Sequence, residues 1–315
     1  MKVLIVGSGA VGGYFGAMLH RAGHDVTFLA RGENLQAIER QGLRIENSNS
    51  GSFTIHPRAV ERLDGSWKAE LALFCVKGYD NLAAIDAMRP AIGVGSSVLT
   101  LQNGIGSGDE LAAEFGSDAV LLGVTYIDAT RRGPAVVAEL GGSVDIIFGD
   151  QEGQRTPRAR FVHEELDVPG IDVTLSRHIA REVWTKLVYI CGLSGMTCIT
   201  RASFAEVLDM PETLELTERV LREVEAVARA KRVTLGDGIV EETMERYQSS
   251  GRDATSSMYT DLVKGNRLEV GVLNGAVSRF GSELGVATPA NDFITGCLTV
   301  AHNRASAAGT ESKGG

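Results

Sequence analysis

The first half of the chain alternates short apolar runs rich in β-branched residues with segments of helical periodicity. We interpret five of these runs as strands: Val3–Val6, Val26–Ala30, Leu71–Val76, Val98–Gln102 and Val120–Tyr126. Strands that alternate with helices form a parallel sheet, because each helix carries the chain back to the start of the next strand. The pattern therefore predicts a doubly wound α/β domain over residues 1–176.

The pattern changes twice after this sheet. The apolar runs Val136–Leu140 and Val144–Phe148 flank Gly141-Gly142, which predicts a hairpin at an antiparallel end of the same sheet. After about Ser176 helical periodicity dominates, and we predict a mostly α-helical domain over residues 177–305. Its predicted helices are Ile179–Leu193, Glu212–Ala230, Gly238–Tyr247, Glu269–Leu284 and Pro289–His302. Residues 306–315, rich in Ser, Gly and Ala, are predicted to be a disordered tail.

Composition and charge narrow the class of protein. The 315 residues are 43% hydrophobic and 23% charged, as in globular proteins, and the length suits two domains. A formal net charge of −9 gives no overall attraction to nucleic acid or to acidic membranes. Four scattered cysteines show no metal-ligand spacing. We find no signal peptide and no apolar stretch long enough to span a bilayer, so we expect a cytoplasmic protein.

A glycine-rich segment opens the first predicted helix. Gly7-Ser8-Gly9-Ala10-Val11-Gly12 follows an apolar strand directly. In this context the first glycine permits a tight turn, the second lets the backbone approach a pyrophosphate, and the third lets helix and strand pack closely. The helix N-terminus can then donate amide hydrogens to the phosphates. The segment predicts a Rossmann domain that binds a nicotinamide dinucleotide.

The residues after the second and third predicted strands bear on the choice of nucleotide. An acidic residue after the second strand would accept a hydrogen bond from the ribose 2′-hydroxyl, but this chain has Ala30 and then Arg31. A guanidinium suits a 2′-phosphate, so NADP(H) is favoured over NAD. Lys77 lies at a carboxyl end of the sheet and is a second candidate phosphate ligand. Asn103 follows the next strand and can lie beside nicotinamide and substrate, although Asn before Gly is also a common turn.

These residues, with further motifs in the second half, resemble the ketopantoate reductase family. The motifs, in the family's order, are Gly7–Gly12, Arg31, Val76-Lys77, Leu101–Gly104, Trp184-Thr185-Lys186-Leu187, Ser256-Ser257-Met258, Glu269 and Asn274-Gly275. Members are NADPH-dependent reductases of 2-oxo acids and related carbonyls. They pair a Rossmann domain with a helical domain and commonly dimerise through the latter. The resemblance implies a 2-dehydropantoate 2-reductase of pantothenate biosynthesis or a close paralogue, with a small-molecule carbonyl substrate and a homodimeric state.

The resemblance also implies a role for each motif residue. The implied roles are the 2′-phosphate ligands Arg31 and Lys77, the nicotinamide and substrate ligand Asn103, the general acid Lys186, the carboxylate ligand Ser257 and the orienting residue Glu269. The chemistry is consistent, because hydride transfer to a ketone leaves alkoxide charge that needs a proton donor. A protonated Lys186 can supply that proton, and Glu269 would keep the ammonium charged.

Three positions depart from the family pattern. Asparagines that the family places four and eight residues after the lysine are Ile190 and Ser194 here, and Ala254 replaces an asparagine ahead of the paired serines. Positions 190 and 194 share a helix face with Lys186 and so face the substrate. Loss of an amide at position 190 removes hydrogen bonding and adds apolar volume. Either a paralogue with a more apolar carbonyl substrate or a ketopantoate reductase with a compensated pocket is consistent with this.

Two further functions use the same fold. A non-catalytic NADPH sensor would keep the nucleotide site, but the presence of both Lys186 and Glu269 argues against it. An NAD-dependent 2-hydroxy acid dehydrogenase is the other alternative. Replacing Arg31 with Ala discriminates, because an NADP enzyme should lose NADPH affinity while it retains NADH use.

Overall fold

Residues 1–48, 51–250, 252 and 254–311 are described by the computed structural model of the chain. The chain divides into two compact units. The first comprises Met1–Gln102 with Ser107–Ile179, and the second comprises Asn103–Gly106 with Ala180–Gly315. The domains predicted at 1–176 and 177–305 are continuous stretches, whereas this division assigns four residues from the first half of the chain to the helical unit.

Among the residues that the structure describes, the strands all lie in the first unit and form two sheets. The strands of the described residues are β1 (Lys2–Val6), β2 (Asp25–Leu29), β3 (Leu43–Asn47), β4 (Phe53–Ile55), β5 (Arg58–Val60), β6 (Leu71–Phe74), β7 (Ser97–Thr100), β8 (Val120–Tyr126), β9 (Ala129–Gly133), β10 (Val136–Glu139), β11 (Asp145–Asp150) and β12 (Asp172–Leu175). The eight-stranded sheet has the order β12-β11-β8-β7-β6-β1-β2-β5, and the four-stranded sheet has the order β4-β3-β10-β9. All pairs of the larger sheet are parallel except β11 with β8.

Helices connect these strands and build the second unit. The helices of the described residues are α1 (Ala10–Arg21), α2 (Gly32–Gln41), α3 (Asn81–Met88), α4 (Ser107–Phe115), α5 (Pro157–Leu166), α6 (Ile179–Thr200), α7 (Phe204–Asp209), α8 (Pro211–Ala230), α9 (Ile239–Ser250), α10 (Ser257–Val263), α11 (Asn274–Leu284) and α12 (Pro289–Glu311). The predicted fold class, a Rossmann α/β domain followed by a mostly helical one, is confirmed.

The apolar run of β1 explains its central position in the sheet. Val3 and Ile5 belong to one hydrophobic cluster and Leu4 and Val6 to another, because alternate residues of a strand point to opposite faces. A strand that is apolar on both faces is stable only when helices cover both faces of its sheet. Strands β2 and β6 flank β1, so the direction in which successive strands are added reverses here, as it does at the ligand crevice of doubly wound sheets.

The predicted hairpin across Gly141-Gly142 is wrong. Strand β10 pairs with β3 and β9 in the smaller sheet, whereas β11 pairs with β8 and β12 in the larger one. The real hairpin joins β9 to β10, and Ala135 in its turn has a φ of 55°. The partner strand β3 was not predicted, although Leu43-Arg44-Ile45-Glu46-Asn47 alternates buried and more exposed side chains, because its two apolar residues are too few to form a recognisable apolar run.

A buried polar network links four helices of the second unit. The Asn274 amide of α11 donates to the Cys191 carbonyl of α6 at 3.3 Å and to Asn291 Oδ1 of α12 at 2.9 Å. Asn291 donates in turn to Glu223 of α8 at 2.7 Å. The Glu223 carboxylate also accepts the backbone amides of Ala290 and Asn291, both at 2.9 Å. Glu223 therefore satisfies amides at the N-terminus of α12 that no helical carbonyl can reach.

Several predicted helix bounds differ from the structure, and three differ most. Helix α6 continues to Thr200, where the hydroxyls of Thr197 and Thr200 bond carbonyls four residues earlier. The helix predicted from Glu269 begins only at Asn274, because Leu273 has the non-helical angles φ −104° and ψ −113°. Helix α12 extends to Glu311, into the segment that we predicted to be a disordered tail. Alanines favour this extension, and residues 312–315 lie outside the described part of the chain.

Helix α6 also meets the length and composition expected of a membrane-spanning helix, so our expectation that no such stretch exists was wrong by that criterion. Within the described residues it is the one such helix, and 61% of its most apolar 18-residue window is buried inside the protein. A single, mostly buried helix of this kind is typical of a protein core. Its apolar side chains Trp184, Leu187, Val188 and Cys191 belong to the hydrophobic cluster of the second unit.

The network makes a prediction about stability. Replacing Glu223 with Ala removes three hydrogen bonds at the N-terminus of α12, and we expect the free energy of unfolding to fall by about 2 kcal/mol. The matched control is Glu225→Ala on the same helix, which removes only the ion pair with Arg229 and should cost less than about 0.5 kcal/mol. Urea unfolding followed by helical circular dichroism measures both changes. Equal effects of the two variants would contradict the proposed capping.

Candidate functional site

The turn between β1 and α1 and the start of α1 are packed so closely that no side chain fits at Gly7 or Gly12. Gly7 has a φ of 101°, and a Cβ at this position would lie 2.8 Å from the backbone nitrogen of Val76. A Cβ at Gly12 would lie 2.1 Å from the carbonyl oxygen of Gly7. Both glycines are therefore required by the close packing of strand, turn and helix.

Gly9 lies in the same segment, but unlike Gly7 and Gly12 it has room for a side chain. A Cβ there would meet no atom within 4 Å, so the space beside its backbone is open. Gly9 precedes the first residue of α1, where no side chain caps the helix and no acidic residue occupies the first turn. The amides of this turn have no intrahelical partner, and the helix dipole favours an anion beside them. The residues present therefore fit the pyrophosphate of a dinucleotide.

Asn34 fixes the conformation of the turn, a role that the sequence did not reveal. Its amide nitrogen donates to Ser8 Oγ at 2.6 Å and to the Ser8 carbonyl at 3.1 Å, while its oxygen accepts from Ala135 N at 2.8 Å. Both Asn34 and Ser8 are buried. Asn34 is a polar residue of the amphipathic helix α2, and from the sequence such a residue is expected to face solvent. The sequence therefore gave no indication of this buried contact.

Arg31 lies just after β2 and is already paired. Its guanidinium contacts the Asp80 carboxylate at 2.7 Å, and the side chains are 65% and 21% exposed respectively. Lys77 follows β6 and precedes the short 3-10 turn Gly78–Asp80. Since β2 and β6 lie on either side of β1, the Arg31–Asp80 pair spans the carboxyl end of β1. The structure thus places Arg31, the predicted phosphate ligand, at this crevice together with the Asp80 carboxylate, which the sequence did not indicate as a partner.

Gln102 holds the loop after β6. Its amide nitrogen donates to the Val76 carbonyl at 2.6 Å and to Asn81 Oδ1 at 2.7 Å. Asn81 donates in turn to Glu110 at 2.6 Å. The loop that carries Lys77 and Asp80 is therefore anchored at both ends by buried or partly buried amide hydrogen bonds.

The segment after β7 belongs to the second unit. Gly104 has a φ of 88°, and a Cβ there would lie 2.2 Å from the Val272 carbonyl, which accepts a hydrogen bond from Ile105 N at 3.0 Å. Val272 N donates to the Glu269 carbonyl at 3.1 Å. Asn103 is thereby held beside the turn that carries Glu269. Its partly buried side chain makes no hydrogen bond within the described ranges of the chain.

Lys186 and Glu269 interact electrostatically within the second unit. Burial lowers the pKa of the Lys186 ammonium to about 8, and the nearby Glu269 carboxylate acts in the opposite direction. Glu269 is 6% exposed and precedes a 3-10 turn, Val270–Val272, instead of opening an α-helix as we predicted. A lysine with this pKa is mostly protonated at neutral pH yet can release its proton readily.

Ile190 and Ser194 follow Lys186 at spacings of four residues along α6. Ile190 is partly buried against the helical core. Ser194 is 1% exposed, and its hydroxyl makes no hydrogen bond within the described residues. A buried polar atom without a partner is costly, which makes Ser194 Oγ available to a ligand or a bound water.

The serines near α10 have different roles. Ser256 is buried and caps α10 by accepting from Tyr259 N at 3.0 Å. Ser257 is exposed and makes no hydrogen bond in the part of the chain that the structure describes. Ala254 packs against the helical core. Within the second unit, the Asn103 segment is thus bonded to the turn that carries Glu269, and Glu269 interacts electrostatically with Lys186. Among the described residues, no contact joins Ser257 to Asn103, Lys186 or Glu269.

Two family models cover most of the chain. The model described as "Ketopantoate reductase PanE/ApbA" matches residues 3–153, and its C-terminal counterpart matches residues 178–302. Among curated relatives, the 2-dehydropantoate 2-reductase of Halobacterium salinarum is 30% identical over 292 residues, which cover 92% of this chain and 95% of the relative.

Solved structures agree with these matches. A ketopantoate reductase of the PanE/ApbA family from Ralstonia eutropha is 31% identical, with a TM-score of 0.88 over 97% of this chain and 100% of that one. A D-mandelate dehydrogenase in complex with NADH is 25% identical, with a TM-score of 0.86 over 96% of this chain and 99% of that one. The similarity therefore extends over both units and includes a protein that binds NADH.

The two glycines Gly7 and Gly9 should respond differently to the same substitution. Gly9→Ala should change the free energy of unfolding by less than about 1 kcal/mol, but its methyl group should weaken dinucleotide binding about tenfold or more. Gly7→Ala should cost about 2 kcal/mol or more, because of its positive φ and the clash with Val76. Thermal unfolding and fluorescence titration with nucleotide measure these effects.

Gly133→Ala is the matched control, since a Cβ at Gly133 also meets nothing within 4 Å and lies outside the glycine-rich turn. It should change neither stability nor binding appreciably. Unaltered nucleotide affinity in Gly9→Ala would show that the pyrophosphate binds elsewhere.

Proposed function

The chain belongs to the ketopantoate reductase family, and from this premise we propose that it reduces a 2-oxo acid to the corresponding 2-hydroxy acid with NADPH. The family consists of pyridine-nucleotide-dependent oxidoreductases that act on CH–OH groups. The observation that carries the proposal is the desolvated ammonium of Lys186 beside the buried carboxylate of Glu269. A sensor that only bound nucleotide would not need such a pair.

Lys186 is the general acid of the proposed reaction. The nicotinamide supplies a hydride to the carbonyl carbon when the cofactor is bound, and the carbonyl oxygen then takes a proton. The Lys186 ammonium polarises this oxygen before the transfer and donates the proton as alkoxide charge develops. Glu269 is a positioning residue, because its carboxylate keeps Lys186 protonated in an environment whose burial favours the neutral amine. Asn103, beside the Glu269 turn, is a second donor for the carbonyl or the nicotinamide amide.

NADPH is the proposed nucleotide because of the cationic residues that follow β2 and β6. Arg31 can bind a 2′-phosphate in bidentate fashion, and Lys77 adds a second positive charge at the same edge of the sheet. Since a similar dehydrogenase binds NADH, the fold itself is compatible with either nucleotide. The side chains after β2 and β6 therefore determine the preference.

The proposed substrate is a 2-oxo acid with an apolar substituent. Ile190 offers apolar surface one helical turn from Lys186, and Ser194 offers a buried hydroxyl one turn further. Ile190 cannot bond a substrate hydroxyl, and an unpaired hydroxyl would lose its hydration without compensation. Ser257 remains the predicted ligand of the substrate carboxylate.

The four free cysteines fit a reducing cytoplasm, and a homodimer remains the expected state.

NADPH oxidation across a panel of 2-oxo acids tests the function and the substrate class together. We expect 2-oxo acids with apolar substituents to be reduced with higher kcat/KM than ketopantoate. In Ile190→Asn, kcat/KM for ketopantoate should rise about tenfold relative to the apolar substrates, because one hydrogen bond is restored. Lys186→Ala should abolish turnover and retain nucleotide binding. If no 2-oxo acid is reduced by a protein that binds NADPH, the proposed reaction is wrong.

The pH dependence of the reaction reports on Lys186 directly. Reduction needs the protonated lysine, so kcat/KM for reduction should fall above about pH 8, and the rate of alcohol oxidation should rise there. Glu269→Gln removes the charge that raises the pKa of Lys186. The turning point, which is the pH above which kcat/KM for reduction falls, should therefore move to lower pH by about one unit. Glu212→Gln, an equal change at an exposed carboxylate of the same unit, should leave the profile in place. A turning point that stays fixed in Glu269→Gln would contradict the assigned role.

A further inference from the structure

Arg31, the predicted 2′-phosphate ligand, forms an ion pair with the Asp80 carboxylate. Arg31 Nη2 and Asp80 Oδ2 are 2.7 Å apart, and the pair joins the loops after β2 and β6 across the carboxyl end of β1. A charged pair in this position faces the part of the crevice where the adenosine ribose of a dinucleotide lies.

The two partners are held with different rigidity. Arg31 is 65% exposed and reaches its partner from the end of a long side chain. Asp80 is 21% exposed, and its backbone amide donates to the Lys77 carbonyl at 2.8 Å. The next residue, Asn81, is 3% exposed and bonded to Gln102 and Glu110. A bound 2′-phosphate can therefore draw Arg31 away, whereas the Asp80 carboxylate stays near the phosphate.

We propose that Asp80 determines how strongly the protein prefers NADPH over NADH, by competing with the 2′-phosphate for Arg31. This inference rests on the proposed function, specifically on the 2′-phosphate site at Arg31. With NADPH, the arginine must exchange a carboxylate for a phosphate, and the two anions then lie close to one another. With NADH, the Arg31–Asp80 pair can persist, and the carboxylate can accept from the free 2′-hydroxyl.

The expected effect is moderate because the pair is largely exposed. An exposed ion pair of this kind corresponds to at most about a fivefold change in an equilibrium constant. Asp80→Asn should therefore tighten NADPH binding by up to about fivefold and should not tighten NADH binding. The ratio of the dissociation constant for NADH to that for NADPH should therefore increase.

The test is a double-mutant cycle on the full-length protein. NADPH and NADH are titrated by fluorescence against the wild type, Asp80→Asn, Arg31→Ala and the double variant. We expect Arg31→Ala to weaken NADPH binding while NADH binding is retained. In the Arg31→Ala background, Asp80→Asn should have a clearly smaller effect on NADPH than it has alone, because the competition needs the arginine.

Several outcomes would overturn the inference. Unchanged or weaker NADPH binding in Asp80→Asn contradicts it, and so does an equal gain with and without Arg31. Asp86→Asn is the control, since it removes a carboxylate from another Arg pair of the first unit, with Arg89 at 2.8 Å. A similar gain in that variant would indicate a general charge effect and would also count against Asp80.

Failure of the proposed function has a different signature. If the wild type binds neither nucleotide, or binds NADPH equally well without Arg31, then the 2′-phosphate site itself is wrong. If the wild type and Arg31→Ala behave as expected and only Asp80→Asn does not, the role of Asp80 alone is wrong. Asp80→Ser is the second variant if Asp80→Asn does not fold, and the same changes in affinity are expected of it.

Discussion

The close approach of backbone to backbone at Gly7 is the constraint on which the first unit depends. No side chain fits between the turn and the segment Cys75-Val76, and none fits between Gly12 and the Gly7 carbonyl. These contacts fix the start of α1 directly against the ends of β1 and β6. The uncapped amides of α1 therefore point to the place where the order of the strands reverses, and Asn34 holds them there through Ser8. A helix that began one residue later would present different amides to a ligand.

In the second unit, burial and a neighbouring charge have opposite effects on the pKa of Lys186. Helix α6 is apolar enough to resemble a membrane span, yet it carries a lysine whose ammonium is desolvated. Burial alone would favour the neutral amine, and the buried Glu269 carboxylate limits that effect. The backbone of the turn that follows Glu269 is bonded to the Asn103–Gly106 segment. A buried network from Asn274 to Glu223 holds the surrounding helices without using Lys186 or Glu269.

The sequence predicted those features that depend on neighbours along the chain. The five apolar strands, the glycine-rich turn and the long helices follow from local patterns, and the structure confirms their fold class. Strand β3 and the pairing of β10 could not be predicted, because their stability comes from distant partners. The same reason applies to the site. Arg31 was found by its position after β2, whereas its contact with Asp80 joins residues 49 positions apart. Asn34 and Gln102 act through tertiary hydrogen bonds that leave no periodic signal.

The assignment of Asn103–Gly106 to the helical unit has a consequence for how the protein can be divided. The polypeptide passes between the units at three points, after Gln102, after Gly106 and after Ile179. Expression of residues 180–311 as a separate fragment would therefore omit the piece that bonds the Val270–Val272 turn behind Glu269. The second unit is therefore not one continuous stretch of the chain, because four residues from the first half of the sequence belong to it.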